Sequence, residues 1–423
     1  MNEPTEIEIL TESLTATESA DTDFRHAGPG ALGAALRASR ADTLATFARF
    51  EAALPELQVP QADTLNPPCW ELGHIGWFAR HWLQRNPERH RGCRANPHAP
   101  RSPVRAPDSD ALFDSSHVAQ HSRWQLPLPP AEALRESLEA GLSQALQLLH
   151  EGGISDDDLY FHRLVLAHED MHHEAALYMA QALGLPDLPD LAGAPHRWQP
   201  RPLVLERRAL AFDAGPFEQG GCAAGFAFDN ELGGFTADLP ASQIDSRVLS
   251  WGEFLPFVEA GGYGQPRWWC PAGRAWLQAS GATAPRYLRG PAWQLQCGGR
   301  WQALDLALPA CHLNAFEAQA WCAWAGRRLP SEGEWERAAV LSAQAGPDFF
   351  WGDVWEWTAS AFAPYPAFVA HPYRDYSEPW FGSRRVLRGA SFATQPRLRH
   401  LRYRNYFTPD RGDIFAGFRS CAL

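Results

Sequence analysis

The feature that most constrains this chain is a change of pattern at residues 183–202, LGLPDLPDLAGAPHRWQPRP. Proline and glycine cluster there and helical periodicity stops, as in a linker. Upstream, apolar residues recur at three- and four-residue steps, the signature of amphipathic helices. Four such segments stand out: 30–54, 70–85, 131–150 and 156–183. The second is entered through Asn66-Pro67-Pro68. The fourth starts after Ser155 with three aspartates in its first turn and stops at Gly184 and Pro186, as helix-cap chemistry predicts. Four helices with long connections predict an up-and-down bundle.

Downstream the apolar runs are short and broken by glycine and proline: RALAFDAGPFEQGG, WGEFLPFVEAGGYG, RVLRGASF and FAGFRSCAL. One helix is clear at 314–326. A second start follows at Ser331, with Glu334 in the capping-box position. The expected fold class is therefore α followed by α+β. An acidic, polar, disordered tail covers 1–27, a helical bundle 28–184, a linker 185–202 and a loop-rich domain 203–423.

Composition narrows the function. The 423 residues are 45% hydrophobic and 20% charged, which is ordinary for a globular protein. The formal net charge is −12, from 37 Lys+Arg against 49 Asp+Glu, the wrong sign for a phosphate backbone or an anionic membrane surface. No stretch approaches the roughly 18 apolar residues of a membrane span. The N-terminus lacks the basic and apolar regions of a signal peptide. Eight cysteines are scattered without a C-x-x-C pair, unlike a disulfide scaffold or zinc ribbon. These features predict a cytoplasmic enzyme with reduced thiols.

The sharpest local signal is LAHEDMHHEAALYM at 166–179, with three histidines and three acids in seven residues of an otherwise apolar helix. His168 and His172 are four apart and leave one helix face about a turn apart, a spacing that suits two imidazoles on one metal. Partly solvated histidines would also explain them, but so dense a cluster favours the metal. HEDMH also matches the H-E-x-x-H of zinc peptidases, with Glu169 as general base, although no third ligand follows at a familiar spacing. His74, in WELGHIGWF, is a candidate third ligand or a packed core histidine. His162 and His173 lie on other helical faces. Glu174 is a candidate to orient a metal-bound histidine.

These residues resemble the non-haem iron sulfoxide synthases of ergothioneine and ovothiol biosynthesis. The family pairs a DinB-like bundle with a domain like the formylglycine-generating enzymes, a C-type-lectin-like fold. The bundle elements stand here as Gly73-His74-Ile75-Gly76-Trp77-Phe78 and His168-x3-His172-x-Glu174. The second domain matches through Gly326 to Glu336, Gly352 to Thr358, Arg388-Gly389-Ala390-Ser391-Phe392 and Arg402-Tyr403-Arg404-Asn405. The formylglycine-generating enzymes use a cysteine pair near R-G-x-S-F. RGASFATQPRLRHLRYRN contains none, so the second domain is expected to serve as a substrate platform.

The resemblance implies that His74, His168 and His172 bind Fe(II) and leave positions for O2, hercynine (trimethylhistidine) and a chalcogen donor. Many relatives carry Asn-Trp-Asp after the Arg-x-Arg, where this chain has Asn405-Tyr406-Phe407. Asn405 and Tyr406 are then expected to hold hercynine. Phe407 removes the carboxylate that anchors a donor ammonium, and a buried charge needs a partner. Met171 stands where relatives often have Gln. An L-F-N-S-Y-Y element is replaced by Leu112-Phe113-Asp114-Ser115-Ser116-His117. The stretch from Asp114 to Pro129 resembles the selenoneine synthase branch, which joins hercynine to a selenosugar. A sugar donor suits both the lost carboxylate and the 18 tryptophans. Arg123 and Ser116 are candidates for the donor pocket, and Tyr373 and Tyr376 for a catalytic proton donor. The alternatives are an ergothioneine-type synthase using a cysteine-derived thiol, a zinc peptidase through HEDMH, and a DinB-like thiol transferase or binding protein without a redox step.

Overall fold

In a computed structural model the described residues are 23–102, 109–186, 200–221, 224–346 and 348–423. Four long helices form the first half: α1 (Pro29–Ala53), α2 (Pro68–Ala79), α3 (Ala131–Glu151) and α4 (Asp156–Ala182). They pack α1 on α4, α2 on α3 and α1 on α3. The caps are those expected. The Ser155 hydroxyl accepts from the Asp158 N–H and the Asp158 carboxylate reaches back to Ser155, satisfying donors that a helix start leaves orphaned. α2 runs into a single π-helical turn, Arg80–Gln84.

The second half is mixed α and β. One of its two four-stranded sheets has the order β3-β2-β1-β4, built from β1 (Trp355–Ala361), β2 (Arg385–Gly389), β3 (Asn405–Phe407) and β4 (Ala416–Gly417). β2 runs antiparallel to β1 and β3, with Leu387 opposite both Trp357 and Asn405. Ser331 and Glu334 close the expected capping box of helix Glu332–Ala345. Two further helices were not expected. Trp251–Glu259 carries Pro256 inside a helix capped by Ser250 and Glu253, and Pro271–Ser280 begins on its proline. At this sixth position proline has no N–H for the carbonyl four residues back, and the capping box with the burial of Trp251, Phe254 and Phe257 holds the helix around it.

Two expectations about the ends of the first half change. Residues 23–27, assigned to the disordered tail, are packed. Arg25 makes a bidentate ion pair with Glu231 at 2.6 and 2.9 Å, both side chains 1% exposed, and Phe24 meets Phe226. Residues 1–22 lie outside the described residues, as does most of the expected linker, 187–199. Leu185, at the linker's start, is buried against Phe50, Leu65 and Met179. The two halves share one continuous apolar cluster from Phe24 to Phe418. Among the described residues no helix is long and apolar enough to cross a membrane, and the described cysteines are free thiols.

The halves are also joined by polar contacts. Arg397 holds Asp170 of α4 through two bonds of 2.8 and 2.6 Å, and Ser39 of α1 donates to the same carboxylate at 2.7 Å. Replacing Arg397 by Ala leaves a buried carboxylate unpaired, which costs roughly 3–5 kcal/mol. Urea unfolding should therefore show a lower midpoint for Arg397→Ala, and Asp170→Asn in the same background should recover part of the loss.

Candidate metal centre

α4 is buried on nearly every side, so each polar side chain of HEDMHHE needs a partner. Residues four apart share a face, which sorts six of the seven into three pairs. Glu169 and His173 face α1: Glu169 makes a bidentate pair with Arg40 at 2.7 and 3.0 Å, and His173 Nε2 meets Thr46 Oγ1 at 2.9 Å. Asp170 and Glu174 face the second half. Trp355 Nε1 and Ser391 Oγ donate to one Glu174 oxygen at 2.7 and 2.6 Å, and Thr394 Oγ1 to the other at 2.7 Å. Burial still pushes the Glu174 carboxyl up against these three bonds.

His168 and His172 form the third pair and meet His74 from α2. One ligand atom from each of the three lies within 4.8 Å of the others. Among the described residues this is the one cluster of this kind. His74 Nδ1 donates to the Phe113 carbonyl at 2.8 Å and His172 Nδ1 to Glu71 at 2.6 Å, which directs both Nε2 atoms inward. Gly73 makes the first contact possible, because a Cβ there would collide with the Phe113 ring. His168 is stacked on Phe78 with ring centres 3.5 Å apart, and its buried Nε2 has no hydrogen-bond partner.

The electrostatics fit a metal. Burial, reinforced by the His172 charge, drops His74 to about 3, and the same two causes hold His168 well below its ordinary value. Both rings are thus neutral at pH 7, the form that ligates. Burial alone would raise Glu71. The charge and hydrogen bond of His172 outweigh it and hold the carboxyl at about 2. An orphaned buried imidazole nitrogen beside two oriented ones fits a bound divalent metal, and three imidazoles suit zinc, copper, iron or nickel.

A cavity of about 260 Å³ opens onto this centre between the two halves. α4 contributes His168, Met171, His172 and Tyr178, and the other wall carries Trp355, Tyr403, Asn405, Tyr406 and Phe407. Tyr373 and Tyr376 also line it, from the segment between β1 and β2. Tyr373 packs edge-on to Phe78 at 4.9 Å, and the Tyr376 hydroxyl lies 3.4 Å from that of Tyr403 and 3.7 Å from Met171 Sδ. Asn405 Oδ1 accepts from the Tyr406 N–H at 2.9 Å, and the Tyr406 hydroxyl donates to the Tyr376 carbonyl. Phe407 lies under the Arg411 guanidinium, itself paired with Asp413 at 2.6 Å.

The structure thus gathers nine sequence-derived candidates, His74, His168, His172, Met171, Tyr373, Tyr376, Asn405, Tyr406 and Phe407, around the centre and its cavity. Two others do not line the cavity. Arg123 covers the Trp70 ring at 3.6 Å and donates to Asn66 at 2.9 Å, while exposed Ser116 donates to Asp114 at 2.5 Å. Glu169 cannot serve as a peptidase base, because both its oxygens belong to Arg40. Glu174 does not orient a ligand histidine either. That carboxylate is Glu71, which sequence reasoning missed although it precedes His74 by three positions on one helix.

The chain is similar to known proteins over most of its length. Residues 198–353 and 348–422 match the sulfatase-modifying factor enzyme 1-like domain. A protein of Mycobacterium tuberculosis named hercynine oxygenase is 33% identical over 438 residues, covering 92% of this chain and 98% of that one. One of the same name from Mycolicibacterium smegmatis is 32% identical over 414 residues, covering 86% and 92%. The formylglycine-generating enzyme of Streptomyces coelicolor is 27% identical over 287 residues, covering 51% of this chain and 89% of that one.

Two substitutions separate ligand from support. His168→Ala should abolish stoichiometric metal binding. Glu71→Gln should retain it with about 10–100-fold weaker affinity, the usual loss when the partner of a ligating histidine is removed. Competition titration against a chelator reads both.

Proposed function

The chain belongs to the family of hercynine oxygenases with a sulfatase-modifying factor domain, and from that premise we propose that it is a selenoneine synthase. The reaction joins imidazole C2 of hercynine to the selenium of a selenosugar. Hercynine C–H, R–SeH and O2 give the C2–Se(=O)–R selenoxide and one water, so carbon and selenium together supply the four electrons that O2 accepts. The selenoxide then breaks down to selenoneine. The reading takes the helical half as a DinB-like bundle, the second half as a C-type-lectin-like platform, and the cytoplasm as its compartment.

The observation that carries it is the character of the cavity. One wall presents His168 and His172, and the other is aromatic. Iron(II) on His74, His168 and His172 would supply the one-electron chemistry that lets O2 react with closed-shell substrates. The rings of Trp355, Tyr376, Tyr403 and Tyr406 suit a trimethylammonium group, which aromatic faces attract. Asn405 keeps its amide N–H groups for the hercynine carboxylate. At the far end, Phe407, Tyr178 and Phe415 line the cavity. Arg411 there is answered by Asp413, and Glu174 is taken by its three donors. A neutral, hydroxyl-rich donor needs no counter-charge at this end, whereas a free ammonium would.

Tyr373 is the proton donor in this reading. Burial pushes its phenol above the ordinary tyrosine value, so it stays protonated at neutral pH, and its ring lies 6.3 Å from that of His168. Tyr376 instead sits against Met171 and Tyr403.

The test is anaerobic reconstitution with iron(II) and hercynine, plus either a selenosugar or γ-glutamylcysteine, then O2 and mass spectrometry. A selenium adduct formed only with the selenosugar is expected. An adduct only with the thiol would replace the donor assignment by the ergothioneine-type reading, and no O2-dependent product would overturn the assignment altogether. Tyr373→Phe should lower kcat by about 10²-fold or more, the usual worth of a positioned general acid, while Tyr376→Phe should cost less.

A further inference from the structure

Tyr373 and Tyr376 lie on a segment whose only regular structure is two single turns, Arg374–Tyr376 and Glu378–Trp380. A side chain on such a segment is placed only as well as the segment's ends are held. Both ends converge on one carboxylate. Asp229, in the turn Asp229–Glu231, is 2% exposed. Its Oδ1 accepts from Ser377 Oγ at 2.5 Å and its Oδ2 from the backbone N–H of His371 at 3.3 Å. Asn230 Nδ2 donates to the same Ser377 oxygen at 3.1 Å. From the helical half, Tyr160 places its hydroxyl 2.9 Å from His371 Nδ1. Phe228, the residue before Asp229, stacks on Tyr376 with ring centres 4.5 Å apart.

We propose that Asp229 is the positioning residue for the cavity tyrosines, a two-oxygen clamp that fixes both ends of segment 371–377. The argument turns on acceptor count. A carboxylate accepts at both oxygens, whereas an amide of the same shape accepts at one and turns an N–H2 toward the other donor. Burying this charge is expensive: desolvation outweighs its hydrogen bonds and pushes Asp229 up to about 6. Burial also drops His371 to about 4. Its ring is therefore neutral at pH 7, and Nδ1 accepts from the Tyr160 phenol. The clamp thus ties the tyrosine segment to both halves that form the cavity, without touching the metal ligands.

This inference rests on the cavity being the reaction site, and the experiment separates the two. Asp229→Asn and Ser377→Ala are made in the full-length, metal-loaded protein, each releasing one end of the segment. Hydrogen–deuterium exchange at pH 7 should rise at least tenfold in 371–380 and stay unchanged in α4 and the β1–β4 sheet. Metal stoichiometry should hold, and kcat per metal-loaded molecule should fall at least tenfold. A merely structural contact would lower the unfolding temperature and the folded yield but leave kcat per loaded molecule intact, and that outcome overturns the proposal. Unchanged exchange in 371–380, or exchange raised throughout the chain, overturns it as well. If Asp229→Asn does not fold, Ser377→Ala alone carries the test. Raised local exchange in a protein that makes no O2-dependent product sustains the clamp and removes the function assigned to the cavity.

Discussion

The structure depends on about two helical turns, HEDMHHE, buried on nearly every side. A helix advances about 100° per residue, so consecutive residues point to different neighbours and residues four apart to the same one. Here that rule yields three pairs with three tasks: Glu169 and His173 bind α1, Asp170 and Glu174 bind the second half, and His168 and His172 face His74. The pairs interleave on one rigid backbone. The metal histidines therefore cannot shift relative to the joint between the halves without breaking buried ion pairs, each worth several kcal/mol once one partner is gone.

The same burial sets the charge of the cavity. Carboxylates in an apolar interior are costly and persist only when their oxygens are filled. Glu174 has three donors, Asp170 has Arg397 and Ser39, and Glu71 has His172. After these demands are met, what faces the cavity is aromatic rings, an asparagine amide, a thioether and the ligand histidines. Such a wall selects by shape, by cation–π attraction and by a few directed hydrogen bonds rather than by net charge. Phe407 belongs to this pattern. A carboxylate there would be drawn toward Arg411, which already has Asp413.

How much of this was legible beforehand follows from the range of the interactions. Helix ends are local chemistry, and Ser155 with Asp158 or Ser331 with Glu334 can be read from four residues. The pair His168 and His172 is equally local. His74 could be read as a ligand only through the family resemblance, because an isolated histidine among apolar residues has two ordinary explanations. Glu71 was missed because its partner is 101 positions away and nothing local distinguishes it from a solvated first-turn acid. Glu174 was misassigned for the converse reason. Its proximity to the ligands in sequence is real, but the helix turns it toward Trp355 and Ser391. Arg123 lies in the short 3-10 helix Gln120–Gln125 and Ser116 in a turn before it, and elements this short carry no periodicity that says which way a side chain points. The helix at 251–259 is hidden by Pro256, a residue that ordinarily interrupts a helix and is here carried by the Ser250–Glu253 cap and the buried apolar face around it.

The tail residues teach the same lesson about distance. Phe24 and Arg25 belong by composition to an acidic, polar terminus, yet Arg25 is buried against Glu231, two residues beyond Asp229. One short turn, 228–231, therefore receives the start of the helical half through Glu231, the tyrosine segment through Asp229 and the Tyr376 ring through Phe228. A shared apolar core alone would let the halves slide over each other, because hydrophobic contact is non-directional. The directed bonds at this turn and along α4 remove that freedom at two separated places. With the metal histidines held by one half and the aromatic wall by the other, the cavity keeps its shape only while both sets of bonds hold. The helical half contributes the three-histidine cluster, and the second half contributes the aromatic wall that faces it.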